Sequence, residues 1–501
     1  MAGRISKAKV NIAVGVGNKI FTMVLEFIAR SVFIRILGEE LLGVNGVFTN
    51  VIQVLSLAEL GLNNVVAYSF YEPIAKNNYK KIAALVRFYK KIYNGIALVV
   101  LGIGICLIPF LDILINTNIK ISNIPLVYSV FLADTVISYF FVYKVTLLRS
   151  DQRGYVVFIF EILMTILRVG VQIICLILWG NFILYLIIKV LFSCISNFVI
   201  AKYVDKHYQY INLEGNLDEN TKKGIIDTVK SGFIYKLSAV LLNSTDNILI
   251  SILVGTVWVG YLANYITIIT AISSICTIVF TNLTASVGNL VATENAERRY
   301  EIFNIMLFVS GWMAVVFSSC IQVLSKGFIT LWLGEKFVMD FPIVFSKTLM
   351  LFLMCYLQPV FSYREALGLY RKTKYAMILA ASLNLILSII MGKLWGVVGI
   401  LTASLIAILS TYFWYEPCVL YKDNFHEKVG IYFFKASRTL ILFICVTFIL
   451  NFMGNLILFS GWMGWIVEAV VLFIVANLIC FVVYCRNKDF KLLIQKMVQK
   501  K

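Results

Sequence analysis

Apolar runs alternate with short polar segments along the whole chain. Most runs reach the roughly 20 residues that a helix needs to cross a bilayer. They fall near 12–36, 42–70, 92–115, 124–149, 155–179, 182–204, 232–254, 258–291, 302–325, 342–368, 374–394, 396–421, 431–453 and 462–485. The pattern predicts an all-α polytopic membrane protein with about 14 transmembrane helices. Two places are less regular. The run at 342–368 contains Pro342 and Pro359, and "MGKLWG" at 391–396 must reverse the chain within a few residues.

The polar segments set the orientation. "KNNYKKIAALVRFYKK" (76–91), "LLRSDQRG" (147–154), "NLDENTKKG" (216–224), "AERRY" (296–300), "LYRKTK" (369–374) and the C-terminal tail are basic or mixed. The intervening segments, such as "GEELLG", "WGN" and "VGTVW", are short and poor in Lys and Arg. The positive-inside rule therefore puts the basic segments and both termini in the cytoplasm. Segment 76–91 interleaves Ile82, Leu85 and Phe88 with basic residues and is expected to lie along the inner face. The basic N-terminus leads straight into a full-length run, so no cleavable leader is expected.

The longest predicted cytoplasmic loop, 205–230, separates six runs from six, with two more beyond. The expected layout is an N-terminal lobe at 1–204, the loop at 205–230, a second lobe at 231–421, and helices 13–14 with a basic tail at 422–501. Six-plus-six layouts often arise from internal repeats in transporters. "FIRILGEELLGVNGVF" (33–48) can be laid on "ISILVGTVWVGYLANY" (250–265). Gly38 then matches Gly255 and Gly43 matches Gly260. Without a gap, Lys19 matches Lys236 and Glu26 matches Asn243. Short glycine matches arise by chance; the coincident lysines favour a parallel repeat.

Composition adds little to the class. Of 501 residues, 60% are hydrophobic and 14% charged, too apolar for a soluble chain. The formal charge of +18 sits mostly in alternate loops. It reads as an orientation signal and an attraction to anionic lipid, and nucleic acid is not expected as a partner. The ten cysteines are scattered without a CxxC pair, so they read as small hydrophobes and not as a metal or disulfide framework.

Charges inside the runs carry the functional argument, because each is costly in hydrocarbon unless it faces the bundle interior or water. In the first run, Lys19, Glu26 and Arg30 form one stripe, and Arg35 near the outer end can snorkel. In the seventh, Lys236, Asn243 and Asn247 share a face, with Asp246 on its edge. Glu161 and Arg168 stripe the fifth. Glu59, Asp134, Lys189 and Glu468 are further interior candidates. Lys19 and Lys236 have no acidic residue at i±3 or i±4 and suit an anionic ligand such as a phosphate. Glu26–Arg30 serves equally as a packing pair. Asp246 suits ion or proton coupling and equally helix packing or capping. No HExxH, nucleophile elbow or GK[ST] loop is present, and no predicted loop is large enough for an ATPase or an extracellular catalytic domain.

These residues resemble a known family. "RILGEELLGVNGVFTNVIQVLSLAELGLNNVVAYSFYEPIAKNNYKKIAALVRFYKKIY" (35–93) resembles the first cytoplasmic-loop region of polysaccharide repeat-unit flippases. These are the O-antigen and capsule exporters of the multidrug/oligosaccharidyl-lipid/polysaccharide (MOP) superfamily. The likeness rests on the Gly38–Gly43 turn, "LAELGL" (57–62) and "YEP" (71–73). "STDNILISILVGTVWVGYLANY" (244–265), "REALGLYRKTKY" (364–375) and "LWGVVGILTASLIA" (394–407) resemble later helices of the family, and the likeness fades in the last two runs.

The resemblance implies a MATE-like MOP fold of two six-helix lobes plus two C-terminal helices. It implies a non-enzymatic flippase in the bacterial cytoplasmic membrane, with no cofactor and with H+ or Na+ coupling as an option. By alternating access it would carry undecaprenyl-pyrophosphate-linked repeat units to the outer leaflet for capsule, O-antigen or exopolysaccharide assembly. The implied partners are that lipid-linked oligosaccharide, membrane lipids, and the polysaccharide polymerase and chain-length machinery. The cationic cavity would use Lys19, Arg30, Lys236 and Arg168, with Glu26, Asp246 and Glu161 in ion coupling or charge pairing. Helices 13–14 would form a lipid-tail groove. The alternative is a multidrug or metabolite antiporter of the same superfamily, whose cavity should be acidic. A scaffold would pair every intramembrane charge locally.

Overall fold

The computed structural model describes residues 2–56, 66, 69–70, 73–74, 76–117, 123–151, 153–214, 216–456 and 461–498. The side chains of 2–16, 18–20, 227–236 and scattered single positions, Asn243 among them, lie outside the description. The described residues are helical throughout, with no strand among them. Among the described residues, eight helices are long and apolar enough to cross a membrane, and up to ten if each of two bent pairs is one span. Large apolar side chains point outward, such as Phe448 (75% exposed), Met463 (77%) and Val482 (70%), as lipid-facing residues do. The protein is a multi-pass, all-α membrane protein.

Two compact units divide the chain, Met1–Gly260 and Tyr261–Lys501. The first contains α1 (Ala2–Leu55), α2 (Tyr79–Leu107), α3 (Ile124–Tyr139), α4 (Val142–Ser150), α5 (Gly154–Trp179), α6 (Phe182–His207) and α7 (Glu219–Leu253). It also holds the first turn of α8 (Thr256–Thr293). Helix α7, expected to open the second lobe, lies within this first unit and packs on α1.

Glycine breaks α1 where two runs were expected. Gly38 has φ +85°, a conformation that costs other residues dearly. Gly255, matched to it by spacing in the sequence, has φ +138° and breaks the chain between α7 and α8. The second glycine pair meets directly. A methyl group on Gly260 would stand 2.6 Å from the Glu39 carbonyl oxygen and 3.1 Å from the Gly43 nitrogen. Matched glycines thus do matched work, as small residues do where membrane helices approach closely. The start of α8 is held by Thr256, whose N–H donates to the Asn116 carbonyl (2.8 Å) and whose hydroxyl meets that of Ser251 (2.8 Å).

Aromatic rings fill the first unit's core. Phe48 meets Tyr128 and Phe131 edge-on at 5.5 and 5.8 Å, and Phe33 meets Phe182 and Tyr185 at 5.8 and 5.1 Å. Helix α2 runs unbroken from Tyr79. Segment 76–91 is therefore largely the first turns of a span and not a separate helix on the inner face. No proline or glycine interrupts Tyr79–Tyr93, and Ile82, Leu85 and Tyr89 are buried on one side. The 205–230 segment is held against its surroundings. Tyr210 packs on Tyr79 (4.5 Å), Arg87 donates to the Leu213 carbonyl, and Tyr208 donates to Asp151 at 2.6 Å. Burial and that hydrogen bond push the Tyr208 hydroxyl well above its ordinary pKa.

The second unit is built on α9 (Ala296–Leu333), a largely buried helix. Around it stand α10 (Phe341–Tyr356), α11 (Gln358–Ala366), α12 (Tyr370–Leu409), α13 (Tyr412–Leu420), α14 (Gly430–Gly454), α15 (Gly461–Tyr484) and α16 (Lys488–Val498). Small and hydroxylated residues let α9 and α14 approach. Gly311 faces Thr439, and Thr447 donates to Ser319 at 3.0 Å. Helix α15 is tied to α9 by Trp312 donating to Asn477 (3.0 Å) and Trp465 donating to the Leu324 carbonyl (3.1 Å). The irregular run 342–368 is two helices bent by 41°, with Pro359 in the first turn of the second. The turn at 391–396 centres on Gly396 at φ +59°, which folds the chain so that Gly399 lies against the Met391 carbonyl.

Candidate functional site

Helices α5 and α6 form a hairpin. Gly180 ends α5 in the left-handed conformation, and Asn181 caps α6 by accepting from the Leu184 N–H at 3.0 Å. Each helix turns a polar stripe to the same space. On α5 the stripe is Glu161, Thr165 and Arg168; on α6 it is Lys189, Ser193, Ser196 and Asn197. The spacings of three, four and seven residues put each set on one helical face. Glu26 from α1, Asp134 from α3 and Arg149 from α4 complete a cavity of about 660 Å³ inside the first unit. That volume lies within the range of about 300–1,000 Å³ typical of small-molecule sites.

Charges meet there in a network. Lys189 lies 3.9 Å from Asp134, and Arg149 lies 3.4 Å from Glu161. Lys189 also stands 5.2 Å from the centre of the Phe131 ring. Glu26, Arg30 and Arg168 all lie near enough to the Tyr185 hydroxyl to act on it electrostatically. Arg168 makes no ion pair among the described residues. Lys144 and Asp205 form a further ion pair at 2.7 Å between α4 and α6.

Three of the expected site residues, Glu26, Glu161 and Arg168, therefore line one cavity, and Arg30 lies beside it through Glu26 and Tyr185. Asp246 is buried at 4% exposure and is not among the described lining residues. Glu59 and the side chains of Lys19 and Lys236 lie outside the described residues. Among the described lining residues the charges balance, with Arg149, Arg168 and Lys189 against Glu26, Asp134 and Glu161. Arg149 and the Ser193–Asn197 stripe were not singled out in the sequence. Arg149 reads there as part of a basic loop, yet α4 carries it back to α5. The serines and Asn197 show as a polar face only once α6 is drawn as a helix.

No family model matches the chain, and no curated protein matches it. Solved structures do. The lipid II flippase MurJ in an inward closed conformation superposes with a TM-score of 0.69 at 14% identity, over 95% of this chain and 99% of that one. An inward-facing multidrug resistance MATE family transporter of the MOP superfamily gives 0.58 at 14% identity, over 80% and 97%. A point mutant of the Vibrio cholerae MATE transporter VcmN gives 0.58 at 14%, over 86% and 99%. The likeness is one of fold: this chain is built on the helical architecture shared by the MurJ flippase and the MATE transporters of the MOP superfamily.

Proposed function

We propose that the protein is a flippase that moves lipid-pyrophosphate-linked oligosaccharide repeat units across the bacterial cytoplasmic membrane by alternating access. The observation that carries this reading is Arg168, a cation without an ion-pair partner among the described residues, on the wall of a cavity between two helices apolar enough to cross a membrane, in a fold like that of MurJ and the MATE transporters. A pyrophosphate entering an apolar slab needs compensating cations. Here Arg168, Lys189 and Arg149 would supply them, joined by Arg30 and by Lys19 and Lys236 on the opening helices of the two expected lobes. Glu26, Glu161 and Asp246 would pair with those cations or couple transport to H+ or Na+. The serines and Asn197 would hydrogen-bond sugar hydroxyls. On this reading both termini are cytoplasmic, the last two spans, α14 and α15, hold the lipid tail, and the polymerase and chain-length machinery receive the product.

The three cavity carboxylates favour a second reading, export of organic cations by an antiporter. One experiment separates the two. Cells lacking their own flippase are complemented with wild type, Arg168→Ala, Lys189→Ala or Lys236→Ala at equal membrane levels, and surface polymer is measured. The flippase reading expects polymer from wild type and at least about a tenfold loss in Arg168→Ala, since losing one hydrogen bond from a charged group to the substrate costs about 1.5–3 kcal/mol of binding. Full polymer from the Arg168→Ala/Lys236→Ala double variant sinks the cationic-cavity idea. Failure of wild type with several repeat units, together with raised resistance to cationic drugs, establishes the antiporter instead.

A further inference from the structure

A second cavity, of about 290 Å³, opens at one end of α14, between α9 and the turn from α15 to α16. Phe434, Lys435, Arg438, Tyr484, Asn487 and Asp489 are part of its wall. Its two cations are in different states. Lys435 is engaged, 2.7 Å from Asp489 and donating to Asn304 at 3.0 Å, which fastens the start of α16 to α9 and α14. Phe490 reinforces that fastening by stacking on Trp312 at 6.0 Å. Arg438 has no carboxylate partner among the described residues. It stands 5.4 Å from the centre of the Tyr484 ring and makes one long hydrogen bond, 3.4 Å, to the Val483 carbonyl.

Arg438 is also placed where a cation is costly. On its helix face it sits between Phe434, 72% exposed, and Ile441, 60% exposed, at i−4 and i+3. From Thr439 to Gly454 the helix carries no further charge. At about 1.5 Å per residue that apolar stretch spans roughly 24 Å, less than the ~30 Å hydrocarbon core. Arg438 thus lies at the edge of the core and must snorkel toward the head groups. Around the same end, Arg486 and Lys491 are exposed. A phosphodiester would meet cations here, and acyl chains would meet Phe434 and Ile441.

We infer that this cavity is a binding site for an anionic phospholipid, with its phosphate on Arg438 and an acyl chain along the Phe434–Ile441 face. The site lies within the second unit, on α14 and at the end of α15, the two spans proposed to hold a substrate's lipid tail; its test uses bilayer lipids alone, so its outcome is separate from that of the transport assay. Its occupant is a bilayer lipid because the cations and the exposed apolar face are contiguous; a free anion would use only the first.

The test is lipid binding to the full chain purified in a neutral detergent, read by native mass spectrometry. Phosphatidylglycerol and phosphatidylcholine with the same acyl chains are titrated against wild type, Arg438→Gln and Arg438→Lys. Wild type is expected to prefer phosphatidylglycerol by about fivefold, what roughly 1 kcal/mol per basic side chain near an anionic surface amounts to. Arg438→Gln is expected to lose that preference and Arg438→Lys to keep most of it, with unchanged melting in all three. Equal binding of both lipids by wild type overturns the inference. So does an unchanged preference in Arg438→Gln. Displacement of phosphatidylglycerol by millimolar inorganic phosphate overturns it in favour of a free-anion site.

Discussion

Arg364 and Glu416 form a buried ion pair that ties together two broken spans of the second unit. Arg364 is on α11, beyond the 41° bend, and Glu416 is on α13, beyond the break at Thr411. One guanidinium nitrogen lies 3.0 and 2.9 Å from the two carboxylate oxygens, and the side chains are 8% and 1% exposed. The guanidinium also stands 4.6 Å from the centre of the Phe361 ring. At this depth the two charges attract by about 4 kcal/mol for an effective dielectric of 20. Desolvation cancels much of that attraction when both charges are present; when one is removed, the other keeps its desolvation cost without its partner. Glu416→Gln or Arg364→Met should therefore each destabilise by about 3–5 kcal/mol. The double variant Arg364→Met/Glu416→Leu should recover most of the loss, because a well-packed apolar pair is close to neutral. The assay is reversible unfolding in mixed micelles, followed by tryptophan fluorescence. Additive losses in the double variant, or single variants within about 0.5 kcal/mol of wild type, would refute the reasoning.

Gly260→Ala should destabilise by about 1–3 kcal/mol, since its methyl group would press on the Glu39 carbonyl. Gly102→Ala, which meets open space, should be neutral or slightly stabilising in the same melt. Asp218 caps α7: its carboxylate accepts from the Thr221 hydroxyl (2.6 Å) and N–H (2.9 Å), and these bonds hold its pKa below the ordinary value of 3.8. The cap's contribution is complete above that ordinary value and is lost as pH falls through the lower folded value. The protection of the Thr221 amide against hydrogen exchange, relative to its intrinsic rate at each pH, should therefore fall below about pH 4 in wild type and show no such step in Asp218→Ala.

How much of this is legible in a linear sequence depends on how local the cause is. Apolar runs and loop charges are local, and they predict the polytopic class and most helix positions. Gly38 and Gly255 were matched by spacing alone, and both sit at helix breaks with positive φ. The Glu161–Arg168 stripe is equally local. Arg364 and Glu416 are not: 52 positions separate them, and each reads alone as a residue near a basic loop. Arg149 reads as a loop charge because the bend of 47° between α3 and α4, which redirects it, has no proline or glycine to announce it. Segment 76–91 shows the opposite difficulty. Its amphipathic pattern is real, but the pattern is the same for a helix lying on a bilayer and for the exposed end of a span.

On the proposed function, the balance of charge in the first cavity has a consequence for transport. A carrier must pass through its cycle both loaded and empty, and cations gathered in one cavity repel each other in the empty state unless counter-charges accompany them. Asp134 and Glu161 provide counter-charges at 3.9 and 3.4 Å. An anionic substrate would then compete with these carboxylates for Lys189 and Arg149, and protonating a carboxylate would release a cation to the substrate. Substrate cations and coupling acids are on this reading one network, not two sites. Glu161→Gln mimics the protonated state. Glu161 and Arg149 are both more than a third exposed, so the pair is worth only about 0.2–1 kcal/mol, and the variant should bind a short-chain lipid pyrophosphate up to about fivefold more tightly. Titration calorimetry with farnesyl pyrophosphate in detergent reads this directly. Weaker binding in Glu161→Gln would mean that the carboxylate helps the ligand instead of opposing it. That is the behaviour of a cation-exporting cavity, and it would reverse the assigned charge of the substrate.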